Sequence, residues 1–120
     1  MAGSVKFIEH KGKRILLIDF SRCEMEEIVT VVREGKKLIA AEPHNSVLTL
    51  TLVTDARTNS AVTRVMMEFT AHNKPYVKAG TVVGLDGLKL LMFKAVTAFS
   101  GRNLAAHEDL EQAREWLVGQ

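Results

Sequence analysis

Val47–Val53, VLTLTLV, runs directly into Thr54–Ser60, TDARTNS, and the reading of the fold turns on this junction. The first seven residues carry no charge and alternate leucine with threonine, a β-branched filler, so both faces tolerate burial. That pattern predicts a central strand of a parallel sheet. The next seven pack three hydroxyls, an acid and an arginine into a turn. Beyond it Val62, Val65, Met66 and Phe69 recur at i, i+3, i+4 and i+7, an apolar stripe that predicts a helix ending near HNKP. Thr58 or Asn59 is the residue type that caps such a helix.

Working outward, Val5–Glu9 and Arg14–Asp19 are short strand-like runs joined by HKGK, whose Gly12 supplies the positive φ of a tight hairpin. Ser21 with Glu24 three residues later reads as a capping pair, and Met25, Ile28, Val29 and Val32 follow at helical spacing. This helix extends toward Ala41, with Gly35 inside it a weak point and candidate break and Pro43 its terminator. Lys78–Gly84 predicts another strand. Asp86 then caps a helix carrying Leu88, Leu91, Met92, Ala95 and Phe99, stopped by Ser100 and Gly101. A brief strand, NLAAH, leads to a last helix on which Leu110, Ala113, Trp116 and Leu117 share a face, with EDLE complementing its positive end. The order β-β-α-β-α-β-α-β-α predicts an α/β sandwich in one domain spanning 1–120. Its sheet is five-stranded, mixed but mostly parallel, with an N-terminal hairpin at one edge and four helices.

The chain of 120 residues is the length of one domain, and 47% hydrophobic with 25% charged side chains matches a globular protein. Sixteen basic and fourteen acidic residues leave a net charge of +2, scattered rather than striped, which argues against nucleic acid. The apolar runs are of strand length, too short to span a bilayer, and the first residues lack a secretory apolar stretch, so a cytoplasmic location is expected. The one cysteine, Cys23, falls at the start of the first helix, beside Arg22, where a dipole would favour thiolate. It has no histidine next to it to act as base, and the four histidines show no ligand spacing. No catalytic residue, metal site or cofactor is expected.

Three segments, SVLTLTLVTD, KAGTVVGLDGLKLLMFKAV and NLAAHEDLEQAREWLVG, resemble the STAS-like superfamily related to anti-sigma-factor antagonists, in a SpoIIAA-like bacterial branch. The resemblance spans nearly the whole chain and implies an α/β sandwich and a signalling or protein-interaction role. Antagonists of this kind carry a phosphoacceptor serine, in a motif such as Asp-Ser-Ser-Gly, at the start of the helix after the central strand. Here Asp55 matches the acid, Ala56 and Arg57 replace the hydroxyl pair, and no glycine follows, so the motif is not intact. Ser60, displaced by a few residues, is the hydroxyl left for phosphorylation.

In an open α/β sheet, ligands bind beyond the carboxyl ends of the strands, where helix N-termini converge. Ser21, Arg22, Asp55, Arg57, Thr58, Ser60 and Asp86 are therefore expected along one rim. There Arg22 and Arg57 would flank an anion, although helix capping alone explains most of these residue types. The third helix is apolar beyond one stripe. Leu90 and Phe93 point away from its expected inward face, as an interface for a protein partner or a second copy in a homodimer. The principal reading is thus a non-enzymatic interaction or signalling module. The alternative is a binder of a small anionic or lipid-like ligand at the helix N-termini.

Overall fold

A computed structural model describes residues 2–100 and 103–120, with the side chains of 88, 92, 96 and 98–100 left aside. The inward placement expected for Leu88, Met92 and Phe99, and the stop at Ser100 and Gly101, lie outside the described side chains and residues. Strands β1 (Ser4–His10) and β2 (Lys13–Asp19) form the antiparallel hairpin, with Gly12 at φ +80° in its turn. They are followed by α1 (Met25–Ala40), β3 (Val47–Leu52), α2 (Ser60–Asn73), β4 (Val77–Val83), α3 (Gly87–Ser100), β5 (Leu104–His107) and α4 (Leu110–Val118). The sheet order is β1-β2-β3-β4-β5, and from β2 onward every neighbouring pair is parallel. VLTLTL therefore occupies the middle strand, as its two-sided burial predicts.

Because the strand order advances steadily in one direction, right-handed crossovers deposit α1, α2 and α3 on the same face. Alternation along β2 and β3 divides the core accordingly. Leu16, Ile18 and Val47 pack with Ile28, Val32, Ile39, Val62 and Phe69 of α1 and α2. Ile15, Leu48, Leu50 and Ala79 pack with Ala113 and Leu117 of α4, which covers the opposite face.

Two local expectations for α1 are corrected. Its cap is Glu24 rather than Ser21: the Glu24 N–H donates to Glu27 Oε1 at 2.9 Å, closing the box three residues later than expected. Leaving β2, the chain must first reverse, and Ser21 and Arg22 are used in that turn, with the Ser21 N–H on Asp19 Oδ1 at 2.8 Å and Arg22 at φ +59°. Nor does α1 break at Gly35. A Cβ there would lie 3.0 Å from Phe69 Cζ, so the glycine sits where α2 presses its ring against α1. The intrinsic cost of about 1 kcal/mol for a helical glycine is offset by that close packing.

Candidate functional site

The carboxyl ends of β2, β3 and β4 deliver three loops to one rim, tied together through the backbone. The Arg22 N–H donates to the Thr54 carbonyl at 2.9 Å and the Arg57 N–H to the Cys23 carbonyl at 2.8 Å. On the other side, Gly84 at φ +100° lies so close to Thr54 that a Cβ would meet Thr54 Oγ1 at 2.5 Å and its nitrogen at 2.8 Å. Asp55 takes φ +56°, which short polar side chains tolerate best among non-glycine residues. Asn59 caps α2, its Oδ1 accepting from the Val62 N–H at 2.9 Å. Ser60 is the exposed first residue of that helix.

Below this rim lies a cavity of about 120 Å³ between the sheet and the α1–α3 layer. Thr49, Thr51 and Val82 form its sheet wall, with Leu104 of β5. Met66, Phe69, Thr70 and Asn73 come from α2, and Lys89 and Phe93, one turn apart, from α3. Ala56, Arg57, Thr58 and Leu85 form its edge. The wall is chiefly apolar, and no histidine, cysteine or carboxylate belongs to it among the described residues. Gly80 lets β4 lie close beside two of these residues: a Cβ there would clash with Thr49 Oγ1 and lie 2.9 Å from Leu104 Cδ2.

Of the rim residues expected from the sequence, Arg57 and Thr58 line the cavity; Ser21, Arg22, Asp55, Ser60 and Asp86 do not. The cation that joins Arg57 there is Lys89 rather than Arg22. Lys89 Nζ stands 3.5 Å from Asp86 Oδ1, and Arg57 Nε 3.5 Å from Glu24 Oε1. On α3, Leu91 is 64% exposed and Leu90 38%, whereas Phe93 turns into the cavity. The helix is thus rotated from the orientation its leucines suggest, with Leu91 and Ala95 outward. Lys89, Thr49 and Thr51 were missed by sequence reasoning. The available signal was the asymmetry of β3, which puts Leu48, Leu50 and Leu52 on one face and two hydroxyls on the other.

Cys23 precedes the α1 cap and is fully buried. Burial, then the carboxylates of Glu27 and Asp19, push its thiol above the ordinary value of 9.0, opposite to the thiolate expectation. At the far side of the fold His10, Glu111 and Glu115 bring ligand-type atoms within 4.8 Å of one another. Glu115 holds Lys11 Nζ at 2.5 Å and His10 Nε2 at 2.6 Å, and Glu111 holds Arg114 at 2.8 Å. Each carboxylate already has a cation, so the group staples the hairpin turn to α4.

No protein-family model and no curated protein matches the chain. Among solved structures, it is similar to an uncharacterized protein of the DUF3478 family from Shewanella loihica PV-4, described as having a SpoIIAA-like fold. The TM-score is 0.76 over 97% of this chain and 94% of that one, at 12% identity. The fold is SpoIIAA-like. At that identity the likeness extends to architecture alone. Among the described residues no helix of this SpoIIAA-like domain is long and apolar enough to cross a membrane.

Proposed function

We propose that this SpoIIAA-like domain is a small-molecule-binding module that holds a compact ligand with an apolar body beneath α3 and does not transform it. The carrying observation is the cavity itself, which opens next to the strand ends where ligands of open α/β sheets bind. Its lining supports binding over acid–base or nucleophilic chemistry, since the described wall offers neither a histidine nor a carboxylate to move a proton. At about 120 Å³ it approaches the roughly 150 Å³ of an engineered cavity that takes benzene, so the occupant is a single ring or a short branched chain rather than a full lipid. Benzene titrated into isotope-labelled protein should move the resonances of Val82, Phe69 and Phe93, and Thr51→Phe, which fills the space, should abolish the effect. Wall resonances that stay still at saturating benzene would sink the reading.

A second reading rests on Leu90 and Leu91, whose exposure on one helix favours α3 as the contact for a protein partner or second copy. It continues the interaction role expected from the sequence. Light scattering of wild type and Leu91→Glu tests the self-associating form of this idea. A dimer lost in the variant supports it, and a monomer in both excludes a homodimer through α3.

A further inference from the structure

We infer that the ligand of this cavity is a monoanion, an aryl or short branched carboxylate, whose charged head is taken by Lys89 and Arg57; the inference rests on the cavity being a binding site. Lys89 carries the argument. Its side chain is only 16% exposed, yet its ion-pair partner among the described residues is Asp86, 82% exposed and 3.5 Å away. Charge-assisted N–H···O bonds close to about 2.7–2.9 Å. At 3.5 Å the Lys89–Asp86 pair is looser than such a bond, and the lysine stem is mostly covered while its acid partner stands in solvent, so an anion at the cavity edge can engage the ammonium more closely than Asp86 does.

Arg57 stands at the same edge, its side chain 56% exposed. Its partner Glu24 is 70% exposed and again 3.5 Å distant. Both acids stand outside the lining, and both cations belong to it. The cavity is therefore walled by two positive groups and, among the described residues, by no negative one. A carboxylate at the edge would engage Lys89 and Arg57, while its apolar body packs against the Phe69, Phe93 and Val82 surface. The volume limits that body to about one ring.

The hydroxyls of Thr49 and Thr51 lie on the same wall, and Thr49 is 5% exposed. Neither makes a side-chain hydrogen bond among the described residues, so each is available to a polar substituent on the ring. This gives a second chemical feature to vary independently of the charge.

The test uses phenylacetate and its neutral isostere phenylacetamide, titrated calorimetrically into the full chain at neutral pH, with benzene as the apolar reference. Phenylacetate should bind at least about tenfold more tightly than the amide, a margin set by one charge-assisted contact. Lys89→Met should remove that margin while leaving the amide unaffected, and raised salt should weaken the acid alone. Should Lys89→Met fold poorly, Arg57→Gln, at a half-exposed position, and the salt series on wild type carry the same comparison. Equal affinity for acid and amide would overturn the anion inference and leave the cavity reading standing. Benzene binding without phenylacetate binding would do the same, whereas silence from all three compounds would overturn both.

Discussion

The Arg57 N–H donates to the Cys23 carbonyl at 2.8 Å, joining the loop after β3 to the segment that leads into α1. This bond, with its companion from Arg22 to Thr54, makes the rim one structural unit rather than three neighbouring turns. It also fixes where the Arg57 side chain starts, at the edge of the cavity and within reach of Glu24.

The tightness of that rim makes Gly84 sensitive. Any side chain there meets Thr54 while holding a φ that L-residues avoid, so Gly84→Ala should destabilise the domain by about 1–3 kcal/mol. Urea denaturation followed by circular dichroism measures this; an unchanged midpoint would mean the loops do not depend on that approach.

Phe69 links the two helices and the cavity. It is 3% exposed, meets Phe20 edge to face at 6.5 Å between ring centroids, and lies against Gly35. Truncation to alanine should cost about 3–5 kcal/mol and enlarge the cavity. The enlarged pocket should then accept aromatic compounds that wild type rejects, which a thermal-shift series of increasing ring size would reveal.

Glu115 predicts an acid limb in the stability profile. Lys11 and then His10, hydrogen-bonded to its carboxylate, hold it below its ordinary value of 4.5. A carboxyl whose folded value is depressed contributes stability that is present above the unfolded value and lost as pH falls through the folded one. Glu115→Gln should therefore be less stable than wild type near neutrality, with the difference vanishing well below pH 4.5. A gap that persists into strong acid would show that packing, not charge, is what the glutamate supplies.

Cys23 should be inert. A fully buried thiol whose ionisation is opposed by burial and by Glu27 and Asp19 should react with a thiol-directed disulfide reagent only as fast as the domain opens. Rapid modification of the native protein, unaffected by conditions that raise stability, would contradict that placement.

How far the sequence led depends on the element. The hairpin, the middle strand and the start of α2 were legible because each is set by a local signal: Gly12 in the turn, two-sided burial in VLTLTL, Asn59 as cap. The start of α1 was misplaced by three residues because Ser21/Glu24 and Glu24/Glu27 both satisfy the spacing of a capping box. Only the turn needed to leave β2 distinguishes them. The rim was foreseeable from topology, yet five of its seven expected residues stay out of the cavity, since backbone proximity does not decide where side chains point.

The amino-acid order alone determined which segments become strands and helices and which neighbours they join, because periodicity and turn chemistry act over a few residues. The rotation of α3 was decided only in three dimensions. Its sequence is apolar almost all round, so no stripe encodes an inward side, and packing against α2 and the sheet selects Lys89 and Phe93 over Leu91. The cavity is likewise a property of no segment. It is the space left where the threonine face of β3 and the helices over it fail to meet, and its charge comes in part from a lysine turned inward by that same packing.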